Sequence, residues 1–279
     1  MPGRRGLAYW LLAGFFALFV LFLYGPTLTI LVLSFQGPKG GLTFPMNGVS
    51  LHWFGNLFEK QMVGDFAGSF GRSMILGLGV MIVTVVASFS AGLAFRNRFR
   101  GSTVLFYLAI ASLIVPSILI SLGIGLLYRV LGWETAWYSS GFGSHLTWTL
   151  PFGLLIMFAV FNRFDRRYEE AARDLGATPW QTIRFVVLPI LLPSLVGVGL
   201  FGFTLSYDEF ARSLYTAGTF NTLPLEIYGM TTNVTTPVLY ALGTVTTGVS
   251  FLAIGLALGV FTILRRRQQR HGSDAGRAA

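Results

Sequence analysis

Runs of about twenty apolar residues, each long enough to cross a lipid bilayer as a helix, recur along this chain and constrain its fold more than any other feature. Inside a bilayer no water is available to the backbone, so a spanning segment must close its own hydrogen bonds, and a helix does so within one run. The runs lie within Leu7 to Phe35, from Ser73 to Phe95, within Ser102 to Tyr128, from about Tyr138 to Phe161, from about Phe185 to Ser206, and from about Leu239 to Leu264. A membrane β-barrel would show shorter segments alternating apolar and polar positions, which these uninterrupted runs do not resemble. Composition agrees, because 53% of the residues are hydrophobic and only 11% are charged, against about 25% charged in soluble domains. The expected fold is an all-α integral membrane protein with six transmembrane helices. One transmembrane domain is expected over residues 1–279, with a basic tail over 265–279.

Basic residues orient such a bundle, since loops that stay in the cytoplasm carry the excess of Lys and Arg. With six spans, one side holds Arg4, Arg5, Arg96, Arg98, Arg100, Arg163, Arg166, Arg167, Arg173, Arg184, Arg265, Arg266, Arg267, Arg270 and Arg277. The other holds Lys39, Lys60, Arg72, Arg129 and Arg212. A bias of fifteen to five among the 20 basic residues is expected to place both termini in the cytoplasm. It also accounts for the formal charge of +9 without nucleic acid. The first run follows Arg4 and Arg5, exceeds a signal-peptide core in length and lacks a small-residue cleavage site, so it is expected to remain as an anchor. Tyr9, Trp10, Tyr128, Trp133, Trp137 and Tyr138 fall where an interfacial aromatic belt belongs. The tail is expected to touch anionic head groups and then fray.

Several chemistries find no support. The chain has no cysteine, and His52, His145 and His271 share no ligand-like spacing. No resident cofactor is expected. The two lysines, Lys39 and Lys60, do not fit a phosphate-binding loop, which needs Gly-rich backbone followed by Lys and Ser or Thr. No Asp, Glu, Lys or Arg falls in the middle of a proposed span, where ion-coupled carriers usually place their coupling groups. Energy for active transport would then come from another polypeptide. A self-contained secondary transporter or channel is the alternative.

The segment from residue 163 to 184 is the most informative stretch between spans. Arg166, Glu169, Glu170 and Arg173 are spaced to pair on one helix. Ala171, Ala172 and Leu175 form an apolar stripe beside them. Gly176 suits the left-handed residue past a helix end. Thr178, Pro179 and Gln181 form the start of a second helix, with Thr as N-cap, Pro at the first position and a Thr-x-x-Gln capping box. That second helix leads into the fifth run. On these residues alone the segment reads equally as a solvated surface helix or as a lever joined to a spanning helix.

The spacing carries a resemblance. Glu170-Ala171-Ala172, three residues, Gly176, nine residues, then Val186-x-Leu188-Pro189 resembles the EAA loop of ABC importer permeases, with Val186 where that pattern has Ile. The resemblance implies the type I importer fold with a cytoplasmic coupling helix, and a non-catalytic subunit of the bacterial inner membrane. It implies as partners a second, homologous permease subunit, two ATPase subunits that hold ATP and Mg, and an extracytoplasmic solute-binding protein. Glu170, Ala171, Ala172 and Gly176 would be the coupling residues.

A second set of residues bears on the solute. Leu205-Ser-Tyr-Asp-Glu-Phe210, Phe220-Asn-Thr-Leu-Pro-Leu-Glu-Ile-Tyr-Gly-Met230 and Thr236-Pro-Val-Leu-Tyr-Ala-Leu-Gly243 resemble the second permease component of the spermidine/putrescine branch. That resemblance implies polyamine-like or other small amine solutes. Tyr207, Asp208 and Glu209 stand at the outer end of the fifth run, where carboxylates and an aromatic ring can attract a cation. The same residues also read as a docking surface for the binding protein or as a solvated loop. Glu134 and Glu226 are weaker candidates for the same role.

Overall fold

The computed structural model describes residues 6–59, 64–97, 99–233 and 236–275. Of the basic residues used for orientation, Arg4, Arg5, Lys60, Arg98 and Arg277 lie outside the described residues. The helices that matter here are α1 (Leu7–Leu33), α2 (Phe66–Phe95), α3 (Ser102–Ala111) and α4 (Ser117–Val130). They are followed by α5 (Trp137–Asn162), α6 (Arg167–Asp174), α7 (Pro179–Tyr207), α8 (Leu223–Asn233) and α9 (Val238–Ala275). Among the described residues, five helices are long and apolar enough to cross a membrane: α1, α2, α5, α7 and the first part of α9.

The run expected as a third continuous span is divided. Residues 102–128 form α3 and α4, separated at Ser112–Pro116. Pro116 has extended backbone (φ −54°, ψ 131°) and caps α4 from outside. Its ring also disfavours helical geometry at the residue before it, so an apolar run long enough to span becomes two short helices. Each is apolar, but neither reaches eighteen residues. At the other end of the chain, α9 continues to Ala275 instead of stopping near Leu264. The helix runs on through the Arg- and Gln-rich stretch that opens the tail, because those residue types favour it.

The contacts of the chain fall into two compact units. The first comprises residues 1–66 and 227–251. Helix α1 is apolar on every face and buries only Leu33. The loop after it folds around Gln36, whose buried side chain donates to the Gly41 carbonyl (3.2 Å) and accepts from the Asn47 amide (2.7 Å). Tyr240, on α9, donates to the Leu42 carbonyl at 2.6 Å.

The second unit comprises residues 67–226 and 252–279. Its core is the seam of α5 and α7, where Met157, Phe161, Val187, Leu191, Leu195 and Val198 are buried together. Val85, Phe89 and Leu93 of α2 pack against that seam. Close approach depends on small residues, because lipid offers no hydrophobic drive for helices to associate. A Cβ at Gly153 would press on Ser88 and Thr84 of α2. Beside it, the hydroxyls of Thr84 and Thr149 share a buried hydrogen bond of 2.8 Å. Helix α7 is continuous for 29 residues, or about 43 Å at 1.5 Å per residue. It absorbs one wide π turn at Ile183–Val187. That turn directly precedes Leu188-Pro189, where the proline lacks the N–H that would close a regular α turn.

Candidate functional site

The two ends of α7 carry the two sets of residues singled out from the sequence. At its N-terminal end, α6 stops in a left-handed turn. Gly176 has φ +84°, a value that costs an L-residue with a Cβ but not glycine. The Gly176 amide donates to the Arg173 carbonyl (2.8 Å) and the Ala177 amide to the Ala172 carbonyl (3.0 Å). This is the Schellman arrangement, which satisfies carbonyls at a helix end. Two residues later the capping box forms. Gln181 donates its amide to Thr178 Oγ1 (3.3 Å), and the Thr178 amide donates to Gln181 Oε1 (2.8 Å). Stop and start signals thus leave only Leu175–Thr178 between α6 and α7.

The side chains of α6 divide into two faces. Ala172 is half-buried, while Glu170, Ala171 and Gly176 are exposed. Leu175 is 90% exposed, and Tyr168 and Trp180 are largely exposed as well. This apolar surface is out of place on a solvated helix. The ion pairing also differs from the expected pattern within one helix. Glu169 makes the i,i+4 contact with Arg173 at 3.9 Å, but its short contact, 2.5 Å, is to Arg96 just past the end of α2. Arg166 does not pair with a carboxylate among the described residues; it donates to the Arg96 carbonyl at 3.0 Å. Arg96 therefore belongs to this site although sequence reasoning used it only for orientation. These groups line a polar cavity of about 400 Å³, together with Glu170, Asn97, Thr182 and Pro179.

At the C-terminal end of α7 the candidate residues separate. Tyr207 is buried, stacked on Phe203 at 5.8 Å and met edge-on by Phe70 at 6.5 Å. Asp208 is exposed, and its side chain makes no hydrogen bond or ion pair among the described residues. Partial burial by its surroundings raises its carboxyl above the usual carboxylate range. Glu209 is engaged: its carboxylate accepts from the Arg212 amide at 3.0 Å and caps the turn that follows. The three do not present a common charged surface. Of the weaker candidates, Glu226 accepts from Asn221 at 2.7 Å. Glu134 lines a separate cavity of about 800 Å³ with Arg129, Trp133 and Tyr215.

The segment after Asp208 is not a loose loop. Arg212 is wholly buried, its guanidinium 5.0 Å over the Trp148 ring and hydrogen-bonded to Thr147. Burial pushes that guanidinium below its usual value, and the nearby Glu209 opposes the shift. Ser144 donates to the Arg212 carbonyl (3.2 Å) and Ser140 to the Thr216 carbonyl (2.7 Å). His145 bridges Ser206 (2.8 Å) and Ser213 (3.0 Å). From α4, Ser121 accepts from the Tyr215 amide (3.0 Å). From α2, Arg72 donates to the Asn221 carbonyl (2.7 Å) and Ser73 accepts from the Leu223 amide (2.8 Å). One signal for this was present in the sequence: Ser140, Ser144 and Thr147 recur at helical spacing on α5 and mark a polar stripe inside an apolar run.

Comparison with known proteins places both ends of α7 in one family. Residues 84–271 match the model of the binding-protein-dependent transport system inner membrane component. The chain is 29% identical over 251 residues to the spermidine/putrescine transport system permease protein PotC of Haemophilus influenzae, covering 90% of this chain and 94% of that one. It is 27% identical to the putrescine transport system permease protein PotI of Escherichia coli, covering 89% of each. Among solved structures it is similar to a bacterial ABC transporter involved in the import of the acidic polysaccharide alginate. The TM-score is 0.63 at 16% identity, over 94% of this chain and 98% of that one. The methionine ABC transporter MetNI, in an inward-facing conformation, matches with a TM-score of 0.54 at 18% identity, over 70% of this chain and 96% of that one. The chain belongs to the family of binding-protein-dependent transport system inner membrane components and has the all-α fold of ABC importer permeases.

Proposed function

We propose that this permease forms half of the translocation pathway of an ATP-driven importer for small cationic amines, with α6 as the element that receives force from a separate ATPase. The observation that carries the coupling role is the exposure of three apolar side chains around the α6–α7 turn: Tyr168 on α6, Leu175 just past its end and Trp180 in the first turn of α7. Apolar side chains left open beside a tight turn fit a groove on another protein. Glu170, Ala171, Ala172 and Gly176 are its coupling residues. The alanines let a partner approach closely, Gly176 supplies the turn, and Glu170 offers an unengaged carboxylate. A second homologous permease chain completes the pathway, two ATPase subunits hold ATP and Mg, and an extracytoplasmic binding protein delivers the solute. With α3 and α4 taken together as one crossing, both termini and α6 face the cytoplasm, on the strength of the basic bias.

The amine assignment rests on the relatives, two of which are named for spermidine or putrescine, and on Asp208. A carboxylate in a partly dehydrated mouth attracts a cation more strongly than one in bulk water, since solvent screens it less. Tyr207 lies beside it as an aromatic wall. Glu209, held as a cap, contributes through the shape of the segment rather than by facing the solute.

The test is uptake into proteoliposomes that contain this chain with its partner permease, the ATPase and the binding protein. Putrescine or spermidine should accumulate only with ATP inside the coupling compartment. Glu170→Arg and Gly176→Pro should abolish uptake while the subunit still inserts. Accumulation driven by an ion gradient without ATP would instead identify a self-contained carrier. Uptake of a neutral sugar or an anion, with none of an amine, would overturn the substrate class.

A further inference from the structure

The EAA segment is joined to α7 by the chain itself, so motion of α6 reaches that helix through the backbone. The structure holds a second connection. Arg96 lies one residue beyond the last residue of α2, and its guanidinium is gripped from three directions. Glu169 of α6 pairs with it at 2.5 Å. The rings of Phe161 and Phe164, at the end of α5 and just after it, lie 5.2 and 5.3 Å from it. Arg166 closes the contact from the other side by donating to the Arg96 carbonyl at 3.0 Å. Both members of the pair are largely covered, with side chains 11% and 13% exposed. An ion pair shielded in this way is far less weakened by solvent and salt than a surface pair.

Among the described residues, the other side-chain link from α6 toward α5 is the ring contact of Tyr168 with Phe164 at 6.2 Å. The outward face of α6 is open, and Arg173 reaches Glu169 only from an exposed position. We infer that Arg96 and Glu169 are positioning residues that tie the coupling helix to the end of α2, so that a displacement of α6 moves α2 and α5 together with α7. This rests on the coupling role proposed above for α6. A lysine at position 96 keeps the charge but loses both the planar fork that matches a carboxylate and the flat face that stacks on the phenylalanines. A glutamine at position 169 keeps the shape but loses the charge.

The experiment measures solute taken up per ATP hydrolysed, in proteoliposomes holding the complete complex, for Arg96→Lys and Glu169→Gln at matched membrane abundance. Each should lower that ratio about tenfold, with ATP hydrolysis itself held within about twofold of the parent. The chain has no cysteine, so an Arg96→Cys/Glu169→Cys double variant can be bridged selectively with a short bis-thiol reagent. Uptake per ATP should be low before bridging and should recover to at least about half of the parent value after it, because a covalent tie replaces the ionic one. Unchanged ratios in both single variants would overturn the inference, and so would a loss that bridging does not recover. In either case the parent complex still couples ATP to uptake, which keeps the proposed function intact. A parent complex that accumulates solute without ATP would sink both.

Discussion

The two ends of helix α7 are built on opposite principles. At the N-terminal end, α6 and the turn after it leave apolar side chains open, the four-residue connection Leu175–Thr178 is shaped by a glycine turn and a capping box, and one shielded ion pair ties α6 to its neighbour. At the C-terminal end, residues 209–223 are pinned by hydroxyl, guanidinium and imidazole contacts to α2, α4 and α5, and Arg212 is wholly buried. A segment with few packed contacts and one strong tie moves as a body when pushed. A segment held at many points resists motion, because each buried polar group that loses its partner costs free energy. The same helix thus joins a part suited to receive force to a part suited to hold shape around the solute's path.

The sharpest way to break this contrast is to remove the central pin of the held end. Arg212→Ala takes away the guanidinium and its contact with Thr147, and leaves a cavity under Trp148. It should cost about 3–5 kcal/mol, the range for truncating a large buried side chain. In practice this means a large drop in the thermal midpoint of the detergent-purified complex or loss of inserted protein. A variant as stable as the parent would show that the segment is not held from within. Next in size, His145→Leu leaves the hydroxyls of Ser206 and Ser213 without their shared partner. About 2–3 kcal/mol is expected, read as a smaller fall in the same midpoint. The open end should respond in the reverse way. Leu175→Ser and Trp180→Ala should change the stability of the isolated subunit by less than about 0.5 kcal/mol, as for exposed positions generally, yet weaken capture of the ATPase in a pull-down. Equal ATPase capture by both variants would remove the argument for α6 as a docking face.

Much of the open end was legible without coordinates. Glycine past a helix end, Thr-Pro-x-Gln at the next start, and the Glu-Ala-Ala spacing are local signals, and local backbone chemistry is what a short stretch of sequence encodes. The held end was not legible. It read equally as a cation path, a docking surface or a solvated loop, because Arg212, Glu209 and the surrounding polar residues are hydrophilic by type, and only partners about 60 to 150 positions away make their burial tolerable. The expected pair of Glu169 with Arg173 is present, but the stronger partner of Glu169 was hidden for the same reason. Its i,i+4 partner is visible in sequence, whereas the shorter contact to Arg96 spans 73 positions.

The smallest effect concerns Asp208. Burial raises its carboxyl, so the folded chain disfavours the ionised form relative to the unfolded one. A group of this kind favours folding below the unfolded value, near 4, and that contribution is lost as pH rises through the folded value. Asp208→Asn should therefore match the parent in thermal midpoint at pH 3. It should exceed the parent slightly at pH 8, while slowing amine uptake. A midpoint difference that is the same at both pH values would assign the effect to packing rather than charge.

The sequence alone determined the features that depend on composition and near neighbours. Apolar runs of bilayer length dictate helices, because lipid leaves the backbone no other partner. The basic bias, the glycine turn and the capping box follow from residues close together in the chain. Tertiary structure alone decided that Glu169 takes Arg96 as its short partner, whereas the split of the third run at Pro116 is a local proline effect that the run's apolar length concealed. Tertiary structure also decided which carboxylate remains open, Asp208, and which becomes a cap, Glu209. Adjacent residues of like charge differ there only in what the rest of the chain brings to them. Partner choice for a charged group depends on helices that meet in space, and no local pattern carries that information.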